Sequence, residues 1–246
     1  MGRILVDRDT VEEMEKKPPL NHGKEGQCYY TDDPNTIVKL FYYYDRYRNV
    51  SFDDRYHEQI AYPKDILIDK ESKMITGYTM PYIKGQKFEY GFPKYMTLEE
   101  LKNAYLDMKE IILEQNNTYM DDNCLENMFY DFKKQRFNLI DTSRWYKDYN
   151  GHIRSLCDFN FFMTHALLMI YDYNNKKIEK TDRIQELYKM YDKYWKYDNV
   201  ILRKNALYET VLPLTNLFSD FLEEIESKVS EYKGEKVKTI NDITIW

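Results

Sequence analysis

The spacing of apolar residues changes after Gly91, and that change constrains the fold more than any other feature of the chain. Before it, apolar residues come in short runs rich in β-formers. Cys28-Tyr29-Tyr30 and Thr36-Ile37-Val38-Lys39-Leu40-Phe41 flank Asp32-Asp33-Pro34-Asn35, a strong turn signal, and so predict a hairpin. Asp65–Asp69 and Ile75–Ile83 predict two more strands around Lys70-Glu71-Ser72-Lys73. A helix is expected from Ser51, with Asp53 and Asp54 favourably placed in its first turn, to Tyr62, because Pro63 disfavours helical backbone before it. From Thr97 onward, Leu98, Leu101, Tyr105, Met108 and Ile112 recur at three- and four-residue steps. Thr97 with Glu100 forms a capping box, so a helix should run from there to about Gln115. Met128–Tyr130 and Phe137–Ile140 read as a further hairpin turning at Lys133-Lys134-Gln135. Ser155–Tyr171 is apolar on nearly every face and reads as a buried helix. Amphipathic helices are expected at about Thr181–Lys196, Ala206–Leu212 and Thr215–Tyr232, with Leu217, Phe221, Leu222, Ile225 and Val229 as core or a dimer face. The fold class is therefore α+β: a small antiparallel β-sheet lobe with one helix (1–83), then a mainly helical lobe (84–246).

Composition removes several classes of function. A chain of 246 residues needs no metal or disulfide staple to bury a core. The net charge of −6 has the wrong sign for a general phosphate-backbone binder, so nucleic acid is not an expected partner. Cys28, Cys124 and Cys157 are far apart and odd in number, which fits reduced thiols in a cytoplasmic protein. The start, MGRILVDRDT, meets Asp7 too soon for a signal peptide. The most apolar stretch, Phe159–Ile170, is too short to span a bilayer, so no membrane association is expected.

Four separated fragments carry chemistry. Gly23-Lys24-Glu25-Gly26 precedes a strand, where glycines let backbone N–H groups approach a phosphate. Lys39 is a lone cation in an apolar run. Asp122 and Asn127 lie on one segment between a helix and a strand, and Asp141 ends the apolar run Asn138-Leu139-Ile140.

Taken together, these fragments resemble the protein-kinase-like family, in particular compact eukaryotic-like serine/threonine kinase domains of bacteria. The pattern G-x-G-x-x-G-x-V falls on Asn21, Gly23, Gly26 and Cys28, and V-A-I-K on Thr36-Ile37-Val38-Lys39. D-x-x-x-x-N falls on Asp122 and Asn127, and the D of D-F-G on Asp141. The resemblance implies ATP and Mg²⁺ as cofactors. Lys39, held by Glu58, would neutralise phosphates, and Gly23 and Gly26 would cover them. Asn127 and Asp141 would hold Mg²⁺, and Asp122 would orient the acceptor hydroxyl and take its proton. Val38 and Phe129 would sandwich adenine with Cys28 packing above it. Met80 would close the back of the pocket, Pro81 would offer a C=O and Ile83 an N–H. Asp158 resembles the residue that props the catalytic loop.

The chain also departs from the family pattern. Met120-Asp121 replaces His-Arg, Cys124 stands where serine/threonine kinases carry Lys, Asp141-Thr142-Ser143 replaces D-F-G, and no A-P-E is found. The implied activity is phosphoryl transfer to a protein serine or threonine. The alternatives are a small-molecule alcohol acceptor, or a non-catalytic pseudokinase that binds nucleotide or a partner. Oligomeric state is not legible.

Overall fold

The computed structural model describes residues 2–45, 50, 57–88, 96–115, 117–121 and 127–174, with positions 182, 185, 186, 189, 193, 216–220 and 222. Its first element is β1 (Gly2–Val6), followed by α1 (Arg8–Glu15). Asp7 caps α1, accepting from the Thr10 backbone N–H at 2.9 Å and from Lys70 Nζ at 3.1 Å. The Thr10 hydroxyl, which also donates to this carboxylate, and then these two bonds hold it well below the usual carboxylate range. Then come β2 (Asn21–His22), β3 (Gly26–Tyr30), β4 (Thr36–Asp45), β5 (Asp65–Asp69) and β6 (Ile75–Pro81). They form one six-stranded sheet in the order β1-β5-β6-β4-β3-β2.

The expected hairpins are present. The turn before β4 is built as its sequence requires: Asp33 accepts from Asn35 N at 3.0 Å and from Thr36 Oγ1 at 2.7 Å. Two features differ from the expectation. The sheet is not purely antiparallel, because β1 lies parallel to β5, with Gly2 opposite Asp65 and Val6 opposite Asp69. Among the described residues, the helix on this sheet is α1, which packs Val11 into a cluster with Val6, Tyr29, Val38, Leu40 and Leu67.

The helix expected from Ser51 to Tyr62 falls partly outside the described residues, and its described part is not helical. Residues 58–59 form a turn, and Ile60 makes a parallel bridge to Leu139. Leu139 N donates to Gln59 O at 2.7 Å and Ala61 N to Leu139 O at 2.9 Å. Ile60, Ala61 and Tyr62 are all buried, so pairing with a strand satisfies backbone groups that a free helix end would leave to solvent.

The remaining elements are β7 (Gln86–Lys87), α2 (Leu98–Glu114), β8 (Thr118–Tyr119), β9 (Met128–Asp131), β10 (Arg136–Leu139), a 3₁₀ turn (Thr142–Arg144), β11 (Tyr146–Lys147) and α3 (Gly151–Asn174). The Thr97–Glu100 capping box is complete: Glu100 N donates to Thr97 Oγ1 at 3.1 Å and Thr97 N to Glu100 Oε2 at 2.8 Å. One core joins α2, α3 and the β7-β9-β10 sheet, with Leu217, Phe218 and Leu222 in it. Tyr105 of α2 stacks on Phe159 of α3, centroids 5.4 Å apart, and also meets Phe218. The stripe beginning at Leu217 is thus core at its described positions. Among the described residues, no helix is long and apolar enough to cross a membrane. The expected helix at Ala206–Leu212, most of those at Thr181–Lys196 and Thr215–Tyr232, and the tail 236–246 lie outside the described residues.

Candidate functional site

Strand β4 sets the site by alternation, since successive side chains leave opposite faces of a sheet. Val38 and Leu40 enter the cluster under α1; Ile37, Lys39 and Phe41 face the other way. Val38 therefore cannot lie against a base on the Lys39 side, and that expectation is corrected. Ile37, two residues before Lys39, lies on the Lys39 face instead. The cross-strand partners of Lys39 share its face: Cys28 on β3 and Tyr78 on β6. Around them lies an apolar wall of Ile37, Met80 and Tyr78, with Leu20, Ile83 and Ile140 packed against it half-buried.

The Lys39 side chain is 7% exposed, and its Nζ lies 2.5 Å from Asp141 Oδ1 and 5.9 Å from the Tyr78 ring centroid. Burial works against the ammonium, but the Tyr78 phenol and the Asp141 carboxylate outweigh it, and the lysine pKa is raised. A raised lysine pKa contributes stability present below about 10.5 and lost only as pH climbs through the higher folded value. The pair is intact through neutral pH. Burial pushes the neighbouring Cys28 thiol up to about 11, which leaves it a poor nucleophile.

Asp141 follows β10 in the left-handed region, φ 55° and ψ 46°. For a residue with a Cβ this costs about 1–2 kcal/mol and persists only where neighbours enforce it. Here Thr142 Oγ1 donates to Ala61 O at 2.9 Å, and Ile140 N donates to Asn127 O at 3.0 Å. The latter bond extends the β9–β10 ladder, in which Met128 opposes Leu139. It sets Asn127 opposite Ile140, the residue before Asp141, at one end of the hairpin. The Asp141 side chain remains 34% exposed, so it is not used up by Lys39.

The other expected residues divide. Met80 is buried, and Ile83 and Pro81 are half-buried beyond it. Phe129 alternates with Met128 and Tyr130, which enter the helical core, and faces away from that core toward Gly85. Gly23 N donates to Gly26 O at 2.9 Å and closes the turn between β2 and β3, so its N–H is committed inside the turn. Gly26 is required by strand approach: a Cβ there would stand 2.0 Å from Leu40 O.

Glu58 is not the partner of Lys39. It is half exposed, its carboxylate bonded to Arg136 and 3.4 Å from Lys134 Nζ. Its turn is docked on β10, where Gln59 Nε2 also reaches Phe137 O at 3.0 Å. The hydrogen bond from Arg136 lowers the Glu58 pKa to about 2. A depressed carboxylate pKa contributes stability present above about 4.5 and lost as pH falls toward about 2. Glu58→Gln is expected to remove that dependence: in melting curves from neutral pH to acid, the wild type should lose more than the variant.

Asp122 lies outside the described residues, as does Cys124. Asp158 is buried and accepts from Tyr119 Oη at 2.8 Å, whereas the Met120 backbone N–H donates to Ser155 Oγ at 2.8 Å. Both therefore hold the strand that leads to residue 122, and only Asp158 was singled out from sequence. Ile37, Tyr78 and Ser155 were missed; the period-two rule applied from Lys39 could have found Ile37.

No family model matches the chain, and no curated protein does either. Its fold is similar to the apo structure of a pseudokinase, with a TM-score of 0.52 and 9% identity over 99% of this chain and 92% of that one. It also matches the Cydia pomonella granulovirus kinase PK-1, with a TM-score of 0.45 and 14% identity over 90% of this chain and 97% of that one. The chain has a protein-kinase-like fold.

Proposed function

We propose that the protein is an ATP- and Mg²⁺-dependent phosphotransferase that moves the γ-phosphoryl group to a hydroxyl, with a protein serine or threonine as the acceptor. The observation that carries this reading is the Lys39–Asp141 pair: a buried ammonium beside a partly exposed carboxylate, next to the apolar wall of Ile37, Met80 and Tyr78. The two parts of the chain, 1–83 and 84–246, would form two lobes with the nucleotide between them.

The donor types suit the metal. The Asn127 backbone carbonyl accepts from Ile140 N, one residue before Asp141, so the Asn127 amide and the Asp141 carboxylate would supply oxygens from the same end of the hairpin. Among the described residues no group of three or more His, Cys, Asp or Glu could hold an ion. Two oxygen donors suit Mg²⁺, which takes few protein ligands and completes its shell with phosphate oxygens and water. When bound, the metal would neutralise charge on the phosphates. Lys39 would do the same from β4, at a site where burial strengthens every charge interaction. Asp122 would orient the hydroxyl and accept its proton as the O–P bond forms and ADP leaves. The base would rest between Ile37 with Cys28 on one side and Phe129 on the other, with Met80 behind.

A second reading, nucleotide binding without transfer, is favoured by one observation: Glu58 stands apart from Lys39. γ-Labelled ATP offered with the protein itself, casein and a panel of amino alcohols separates the readings. Label on protein that is lost in Asp122→Asn supports the first reading, and label on small alcohols alone moves the acceptor. No label anywhere, with nucleotide bound, leaves the second.

A further inference from the structure

We propose that the Asp121–Arg144 ion pair is a positioning latch. It extends a two-stranded ladder into the candidate site and fixes the strand leading to Asp122 against the turn that follows Asp141. Its catalytic consequence rests on the phosphotransfer reading above; its structural content does not.

The ladder carries this inference. In the β8–β11 pair, Thr118 opposes Lys147 and Tyr119 opposes Tyr146, and Asp148 N bonds Asn117 O in the same register. One step toward the site, Met120 and Trp145 turn inward and are both buried in the helical core. One step further, alternation returns the side chains to the Tyr119–Tyr146 face, where Arg144 Nη2 meets Asp121 Oδ2 at 3.2 Å. By the same alternation the Met120 N–H points away from β11, and Ser155 Oγ accepts it. Arg144 belongs to the 3₁₀ turn rather than to β11, and its side chain carries the contact across to Asp121.

The two ends it joins are the ones the chemistry needs. Asp121 immediately precedes Asp122, and Arg144 ends the 3₁₀ turn that Asp141 opens. Both charges are encoded in the chain: the carboxylate follows β8 and the guanidinium precedes β11. The side chains are 54% and 25% exposed, and a pair this wet contributes little to global stability. Its effect should be local.

The test compares the wild type with Arg144→Met, Asp121→Asn, and the exchanged pair Asp121→Arg with Arg144→Asp. The readouts are amide hydrogen exchange over residues 117–121 and 144–148, melting temperature and Mg-ATP hydrolysis. Each single variant should speed local exchange up to about fivefold with the melting temperature unchanged. The exchanged pair should restore the wild-type rate. About 1 M salt, where screening acts within about 3 Å, should move the wild type toward the single variants. Hydrolysis should fall about tenfold in kcat at unchanged KM and recover in the exchanged pair. Unchanged local exchange in the single variants, or no recovery in the exchanged pair, overturns the latch. If exchange behaves as stated but the wild type turns over no ATP, the latch stands and the phosphotransfer reading fails.

Discussion

Lys39→Met should leave the protein within about 1 kcal/mol of wild-type stability, while Asp141→Ala should cost about 3 kcal/mol; both should abolish stabilisation by Mg-ATP. The asymmetry follows from where the two charges sit. The Lys39 side chain is 7% exposed, so losing Asp141 strands a buried ammonium among Tyr78, Cys28 and Ile37. Breaking a buried pair from one side usually costs 3–5 kcal/mol, and the low end applies because Asp141 is itself a third exposed. Losing Lys39 leaves a carboxylate that water still reaches, and Met fills the lysine's apolar channel. Denaturant melts of the two variants give the stability difference, and the same melts with Mg-ATP give the functional one. Equal destabilisation by both substitutions would show that the pair is not buried as described.

Gly77→Ala should be among the most damaging single-methyl changes in the sheet. Gly77 of β6 faces Leu40 of β4, and a Cβ would stand 2.2 Å from Lys39 O and 3.2 Å from Leu40 Cα. The neighbour is backbone and cannot swing aside, so the strand carrying Lys39 must shift. The expected loss is about 3 kcal/mol, a drop of roughly 6–12 °C in melting temperature for a chain of this size. Gly26→Ala should behave alike from the other side of β4, with its Cβ 2.0 Å from Leu40 O. Gly23→Ala should be mild, since its Cβ would meet only Gly26 O at 3.2 Å. That contrast separates the two glycines of the turn. Gly26 is demanded by strand packing, whatever passes above the loop.

What could be read from the chain was local. The Thr97–Glu100 box, the Asp33 turn and the β9–β10 hairpin are each written in a few adjacent residues, and each is present. What escaped reading depends on partners far away. β1 pairs with a strand more than sixty residues on, and nothing in Gly2–Val6 names it. Asp53, Asp54 and the spacing to Pro63 favour a helix locally, but Gln59, Ile60 and Ala61 instead bond to β10, some eighty residues later. Glu58 went astray with them. The resemblance implied Lys39 as its partner, whereas its carboxylate is bonded to Arg136 on β10. Val38 was a different kind of miss. Alternation from Lys39 already excluded it and pointed to Ile37 and, across the sheet, to Tyr78.

Calorimetric titration of Mg-ATP into the wild type and into Lys39→Met tests the central claim most directly, because the variant is expected to fold. The account predicts saturable binding to the wild type, weaker by at least about tenfold without the metal, and none to Lys39→Met. Equal affinity in the two proteins, or no binding to the wild type at millimolar nucleotide, would contradict it.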